Sequence, residues 1–528
     1  MTLACVPIMV ADRPSALADA QLAADLGADI VEFRIDELFS GADDPQEEAD
    51  ILAIVAESPL PCIVTCRPTW EGGLYDGPED ARISLYERLG TADSPPAYID
   101  VELKAYTASD NIRQKVNLAV QHPKQQRDVR TRLILSMHDF DGRPSDLTRR
   151  LAKARSFDAV SVIKVAYRAR SLRDNLELFE ILRDADRPTI ALGMGEFGLM
   201  SRVLAPKFGG FLTFASLRDT SATAPGQPTL RDLLETYRFR AIGNNTKLYG
   251  VVGWPVSQSM GPLIHNAGFE AVGHDGVYLP LPIVADPGDM DLTRTSFEAT
   301  FGALAEADGL HFAGASVTVP FKEHLLRMGD ADEAASACGA ANTWASGSVT
   351  NTDVLGLVEP LEGALGELEA KSIAVVGAGG AGRAAAWVCA SRGASVTVYN
   401  RDPARAERLA AELRVACALF ETLADAEADA FINCTPVGMA GGPDPDGLSI
   451  PESAMGNRGT VFFDTVYNPV DTPMIRAARA HTGRVIDGVE MFVRQAAAQF
   501  ALWTGHPAPR ALFDRLVRET LSSQADGA

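Results

Sequence analysis

The segment KSIAVVGAGGAGRA, residues 371–384, makes the plainest structural statement in the chain. An apolar β-type run ends at Val376, glycines follow at positions 377, 379, 380 and 382, and a helical stretch begins. Gly377, Ala378, Gly379, Gly380, Ala381 and Gly382 thus form a strand–turn–helix junction. Its glycines allow a tight turn and let a pyrophosphate approach the helix N-terminus. The spacing alone is weak evidence; the strand before it and the helix after it give it weight. A dinucleotide is the expected ligand.

The following strand, ASVTVYNRD, ends at the place where NAD sites carry an acid for the ribose hydroxyls. Here that place holds Asn400 and Arg401, with Arg405 nearby. A guanidinium suits a 2′-phosphate, so NADP(H) is the expected form. The plainer alternative is that both arginines only solvate a helix. Asp402 reads as the cap of that helix.

Outward from this junction, a βα series runs on to about Val485, and the tail 488–525, opened by Gly488, is helical by pattern and expected to pack back on the preceding domain. Upstream, the strands KLYGVVG, GVYLPLPI and GASVTVP, with helical stretches between them, make a small α/β domain. The short stretch AIGNNTK, 241–247, is the one evident seam. Residues 1–240 alternate β-rich runs with amphipathic helical stretches. The runs are Leu3–Val10, Asp29–Asp36, Cys62–Arg67, Tyr98–Leu103, Leu133–His138, Val160–Val165, Thr189–Gly193 and Phe211–Ala215. Eight βα units point to a parallel (β/α)8 barrel, with a doubly wound sheet as the alternative.

The net charge of −22 lacks the basic field that a nucleic-acid partner requires. No stretch is long and apolar enough to span a membrane. Seven scattered cysteines without a CxxC pair suit a reducing cytoplasm.

Barrel chemistry gathers where strands end. The polar residues there are Glu32, Arg34, Arg67, Glu102, His138, Lys164 and, after the seventh strand, Arg202. Lys164 interrupts the apolar strand SVIKVAY, so it must be paired, or neutral, or both. A neutral lysine attacks ketones, and desolvation and neighbouring cations can lower its pKa. His138 could move protons with Glu102 orienting it, and arginines could hold an anionic substrate. The bland reading is a salt-bridged lysine closing a barrel layer, with His138 a core histidine.

The ordered motifs EFRID, TCRPTWEGG, DVELK, SMHDF, VIKVAY, LGMGEFGLMSR and TAPGQ resemble the type I 3-dehydroquinate dehydratases over nearly all of 1–240. The resemblance implies a (β/α)8 barrel without a metal, Schiff-base chemistry at Lys164, proton transfer by His138 and Glu102 as the partner of His138. It assigns substrate contacts to Glu32, Arg34, Arg67 and Arg202, and a lid loop to Thr223 and Gln227. Serine is usual where this chain has Thr223.

The motifs GWPVSQSMGPLIHN, VTVPFKEHL, GAANTW, NTDVLG, NCTPVGM, DTVYNP and DGVEMFVRQAA resemble the shikimate dehydrogenases from about 247 to 505. That resemblance implies a small substrate domain followed by a Rossmann NADP domain. It makes Lys322 and Asp353 the catalytic pair. Ser257 and Ser259 match hydroxyls that bind the substrate carboxylate, and Thr318, Asn342, Tyr467 and Gln495 match further substrate contacts. Thr435, Val437 and Met439 match the loop beside the nicotinamide. Met260 and Gly261 depart from the usual Leu-Ser. Ser259 and Thr318 favour shikimate over quinate.

The expected divisions are 1–241 for the dehydratase barrel, 246–360 for the substrate domain, 368–487 for the NADP domain and 488–525 for the C-terminal helices. The order of the two halves resembles the plant bifunctional enzymes of the shikimate pathway, in which 3-dehydroquinate becomes 3-dehydroshikimate and then shikimate. Two rivals remain: a metabolite-sensing regulator built on degenerate copies of these domains, and a quinate-preferring dehydrogenase.

Overall fold

The computed structural model describes residues 1–42, 44–121, 130–218, 226–456, 459–481 and 483–526. The chain forms two compact units, Met1–Thr246 and Lys247–Ala528.

The first unit is a parallel barrel. Its strands are β1 (Leu3–Met9), β2 (Ile30–Arg34), β3 (Cys62–Thr65), β4 (Tyr98–Glu102), β5 (Arg132–Asp139), β6 (Val160–Arg168), β7 (Thr189–Met194) and β8 (Leu212–Phe214). Neighbours pair in sequence order from β1 to β7, and β8 returns to pair with β1. The last gap is bridged where the Phe211 amide donates to the Thr189 carbonyl at 2.8 Å. The doubly wound alternative is thereby excluded.

Pleating explains how one barrel holds both an oily floor and a charged chamber. Alternate residues of each strand face the interior. Cys5, Ile30, Ile63, Tyr98, Ile134, Val162, Ile190 and Leu212, one per strand, pack into one apolar cluster. Two residues further along, the same face carries Glu32, Thr65, Asp100, Ser136 and Lys164, all buried. Two beyond those come Arg34, Arg67, Glu102 and His138. The strand segments are therefore apolar at the floor and charged towards their C-terminal ends. Among the described residues, the helix after β8 is limited to the five-residue π-helical turn Asp232–Thr236.

The second unit has two six-stranded sheets. The first contains β9 (Lys247–Gly253), β10 (Gly276–Pro282), β11 (Phe312–Val317), β12 (Asp330–Ala331), β13 (Thr343–Ala345) and β14 (Ser348–Thr350), in the order β10-β9-β11-β13-β14-β12. The strand β13 runs antiparallel to both its neighbours. The second contains β15 (Ser372–Val376), β16 (Ser395–Asn400), β17 (Ala416–Leu419), β18 (Ala430–Asn433), β19 (Val461–Asp464) and β20 (Arg484–Ile486), all parallel. Its order, β17-β16-β15-β18-β19-β20, is the doubly wound dinucleotide arrangement, with the crevice opening between β15 and β18.

The tail forms two helices, Gly488–Thr504 and Arg510–Asp526. They pack within the second unit, chiefly past the sheet just before them, on the sheet that opens the unit and its helix Gly261–Val272. Val493, Phe500, Trp503, Phe513 and Val517 share one core with Tyr249, Ile264, Phe269 and Tyr278. The aromatic face of the tail finds its match in the aromatic side chains of β9 and β10. Among the described residues, no helix is long and apolar enough to cross a membrane.

Candidate active sites

In the barrel, Lys164 is buried and lies 3.0 Å from Asp100 Oδ2 and 3.3 Å from Glu32 Oε1. Its ammonium also sits over the Phe214 ring, 4.5 Å from the centroid. The nearest charged groups are thus carboxylates, not the cations considered from sequence. Thr65 Oγ1 donates to Glu32 Oε1 at 2.7 Å and so fixes that carboxylate.

Arg67 is buried and fully engaged. Its Nη2 donates to Asp100 Oδ1 at 2.9 Å, and its Nη1 donates to Glu102 Oε1 at 2.6 Å and Ser136 Oγ at 2.9 Å. Arg82, also buried, approaches Glu102 Oε2 at 2.7 Å. Lys164, Arg67 and Arg82 are therefore balanced by Glu32, Asp100 and Glu102. Such a buried cluster tolerates its charges because each finds a partner. Burial acts to raise the Asp100 carboxyl, but Arg67 and Lys164 outweigh it and hold it well below the usual carboxylate range.

Glu102 is not the partner of His138. The pleat points it to Arg67 and Arg82: Oε1 accepts from Arg67, and Oε2 is ion-paired with Arg82 without a hydrogen bond of its own. The partner is Glu71, in the turn Thr69–Glu71 that follows β3. Its Oε1 accepts from the His138 backbone amide at 2.9 Å and lies 3.0 Å from His138 Nδ1. Burial pushes the Glu71 carboxyl up to about 7 against the pull of Arg67. Burial, reinforced by Arg67 and Lys164, holds the His138 imidazole well below its usual range, so it is neutral and has a lone pair to offer.

The other barrel candidates divide. Arg34 makes a two-point contact with Asp36, at 2.9 Å from each of Nε and Nη2. Arg202 is buried, its Nε has no hydrogen-bond partner, and burial lowers its pKa to about 10. A buried guanidinium with unspent donors is a site for an anion. Gln227 is half-buried and precedes the turn Asp232–Thr236 in the chain, and Thr223 lies outside the described residues. Sequence reasoning missed Glu71 and Asp100. Asp100 shares the parity of Glu102 on β4, so alternation alone could have found it.

In the second unit, Lys322 follows β11 and Asp353 opens the helix Asp353–Leu365, and their side chains form a close ion pair. Asn342 Nδ2 donates to the other carboxylate oxygen of Asp353 at 2.8 Å and to Gln495 Oε1 at 3.3 Å. The amide and the ion pair thus hold one another. Tyr467 stacks on Phe492 at 4.7 Å, and burial raises its hydroxyl pKa against the pull of the Met260 backbone. Ser259 Oγ accepts from the Gly261 amide at 3.2 Å. Ser257 is exposed and Thr318 half-buried.

The glycine junction fits a dinucleotide. Gly377 has φ +113°, and a Cβ at Gly382 would stand 2.0 Å from the Gly377 carbonyl oxygen. A Cβ at Gly379 would meet nothing within 4 Å, which leaves the helix N-terminus open to a ligand. A Cβ at Gly380 would stand 2.8 Å from Lys322 Cδ, so the loop and Lys322 are in contact. Asn400 Oδ1 accepts from the Ala378 amide at 3.3 Å and ties the end of β16 to this loop. Asp402 caps the helix Pro403–Leu413, leaving Arg401 and Arg405 exposed at its start. Thr435 and Val437 belong to the turn after β18, and Met439 is partly exposed beyond it. Gly488 lies against the Val466 carbonyl, where a Cβ would come within 2.2 Å.

The type I 3-dehydroquinase family matches residues 4–244. The shikimate dehydrogenase substrate binding domain matches 251–344. The shikimate/quinate 5-dehydrogenase family matches 360–437, and the shikimate 5′-dehydrogenase C-terminal domain matches 488–518. A chloroplastic bifunctional 3-dehydroquinate dehydratase/shikimate dehydrogenase of Arabidopsis thaliana is 36% identical over 97% of this chain and 83% of its own. A shikimate dehydrogenase (NADP(+)) of Methanocella arvoryzae is 37% identical over 52% of this chain and 99% of its own. A solved structure of dehydroquinate dehydratase and shikimate dehydrogenase from S. pombe AroM is 25% identical and covers 98% of each chain, with a TM-score of 0.40.

Proposed function

The chain belongs to the bifunctional 3-dehydroquinate dehydratase/shikimate dehydrogenase family, and from that premise we propose how its residues divide the work. It is a lyase and an oxidoreductase in one polypeptide. The barrel dehydrates 3-dehydroquinate to 3-dehydroshikimate, and the second unit reduces that product to shikimate with NADPH.

Lys164 forms the Schiff base at the ring ketone. Its ammonium must first release a proton, and Asp100 and Glu32 stand within reach of it. The same two carboxylates then face the protonated imine, which withdraws electrons and acidifies the adjacent C–H. His138 takes that proton and later returns one to the departing hydroxyl. Glu71 orients the imidazole and stabilises its cation. Glu102 acts one step away, by fixing Arg67. Arg34 and Arg202 receive the substrate carboxylate and hydroxyls, with Gln227 and Thr223 on the closing loop. Water finally releases the product from Lys164.

In the second unit, Lys322 donates the proton that the carbonyl oxygen needs as it becomes an alkoxide, and its charge stabilises that oxygen. Asp353 and Asn342 keep the amine aimed. Ser257, Ser259 and Tyr467 bind the substrate carboxylate; Thr318, Asn342 and Gln495 bind its hydroxyls. Bound NADPH supplies the hydride. Residues 377–382 would hold its pyrophosphate, Asn400, Arg401 and Arg405 its 2′-phosphate, and Thr435, Val437, Met439 and Gly488 would flank its nicotinamide. The working parts are 1–241, 246–360, 368–487 and 488–525. Seven cysteines free of disulfides support a reducing compartment such as the cytoplasm. The net charge of −22 argues against a nucleic-acid partner.

The observation that carries the reading is a buried amine between two carboxylates, on the strand beside a neutral histidine, at the C-terminal end of a barrel. Borohydride added with 3-dehydroquinate should fix the substrate carbon skeleton on the peptide containing Lys164. Lys164→Ala should lose both trapping and dehydration while keeping NADPH-dependent reduction. Trapping on another lysine would overturn the assignment.

A further inference from the structure

Two loops carry the proposed contacts to substrate and cofactor in the second unit, and they leave adjacent parallel strands. One follows β18 and contains Thr435–Met439. The other follows β19 and contains Tyr467. The last residues of these strands, Asn433 and Asp464, are register partners, and both are fully buried. Asp464 Oδ1 accepts from Asn433 Nδ2 at 2.9 Å and from the Val466 amide at 3.0 Å. Its Oδ2 accepts from Thr472 Oγ1 at 2.6 Å. Asn433 in turn uses its Oδ1 to accept from the Thr435 amide at 3.0 Å and the Thr435 hydroxyl at 2.7 Å. The Val437 amide closes on Thr435 Oγ1 at 3.3 Å. One carboxylate therefore holds the second loop directly and the first through a single amide.

This arrangement is more than packing requires. A buried carboxylate is costly without a cation, and no salt bridge to Asp464 exists among the described residues. Three donors converge on it instead. A carboxylate can accept all three, whereas an amide in its place could accept only at its single oxygen and would force Thr472 to reverse its hydroxyl. Thr472 also caps the helix Pro473–Ala480 through the Ile475 amide. Its Cβ lies 3.4 Å from where a Cβ on Gly438 would stand, so the loop after β18 is pressed against the same anchor.

We propose that Asp464 is a positioning residue that sets the cofactor-side loop and the substrate-side loop together, so that both binding sites depend on one buried carboxylate. This rests on the roles assigned above to Thr435–Met439 and to Tyr467. Asn433 serves the cofactor side alone.

Steady-state kinetics on the full chain test the proposal, with the dehydratase rate of each preparation normalising for chain present. Asp464→Ala should raise KM for NADPH and for 3-dehydroshikimate by about tenfold each. Asn433→Ala should raise KM for NADPH by a similar factor and leave KM for 3-dehydroshikimate unchanged. Asp464→Asn, which keeps the shape but has a single accepting oxygen, should raise both KM values together by a smaller factor than Asp464→Ala, about threefold. A purely structural anchor would instead lower apparent kcat in proportion to the folded fraction, with both KM values unmoved, and that result overturns the proposal. So does an Asp464→Ala variant that shifts only one KM. Tyr467→Phe separates the two levels. If it raises KM for 3-dehydroshikimate while Asp464→Ala does not, the positioning role alone fails. If Tyr467→Phe has no effect, the assignment of the substrate-side loop fails and the proposal with it.

Discussion

A carboxyl group pushed up to about 7 by burial stands one hydrogen bond from the imidazole that must move protons. Above pH 7 Glu71 is ionised, accepts from His138 Nδ1–H and leaves Nε2 with its lone pair free. Below pH 7 it takes up a proton, and the imidazole loses the anion that would stabilise its cation. Dehydratase kcat/KM should therefore rise with pH through about 7. Glu71→Gln should flatten that limb, cost about 10²-fold or more in rate, and leave the dehydrogenase profile untouched. A parent profile flat between pH 6 and 8 would deny Glu71 this part. Glu71 was hard to see in the sequence because it lies in a loop, where no periodicity says which way a side chain points. Glu102 was easy to see and easy to misread: alternation correctly turned it inward, but which inward neighbour it meets depends on Arg82, which arrives from the helix Glu79–Thr91.

At the scale of elements, the glycine junction does two jobs: it opens a helix end, and it gives Lys322 room. Gly380→Ala would drive a methyl into Lys322 and misalign the amine. It should lower dehydrogenase kcat by about tenfold, equivalent to about 1.4 kcal/mol, without changing the dehydratase rate. The exposed Arg401 faces no acidic partner in a salt bridge among the described residues, so its guanidinium is available. Charge-assisted contacts are worth about 1.5–3 kcal/mol, so Arg401→Ser should raise KM for NADPH by about 10- to 100-fold and scarcely alter KM for NADH. Equal losses with both would refute the 2′-phosphate role. The elements themselves were largely legible: all eight barrel strands were foreseen within a few residues, because buried parallel strands are unbroken apolar runs between turn-formers. What periodicity could not give was partnership. The order of β17 to β20 around β15, the short turn after β8 and the packing of Phe500, Trp503 and Phe513 on the first sheet all depend on contacts between distant segments.

Across the whole molecule, each candidate site draws its described residues from one unit only. Lys164→Ala and Lys322→Ala chains mixed in equal amounts should therefore convert 3-dehydroquinate to shikimate with NADPH, after a lag while the intermediate accumulates. Neither variant should do so alone. A mixture that never makes shikimate would mean that the intermediate does not pass between chains. The barrel seam has a different consequence. Because β1 is completed only by β8, a growing polypeptide on the ribosome carries two raw sheet edges until residue 214 has emerged. The whole span between the first strand and the last is thus a window in which chaperones have something to hold and neighbouring nascent chains something to stick to. Synthesis that stalls within that window should leave insoluble fragments rather than small stable pieces.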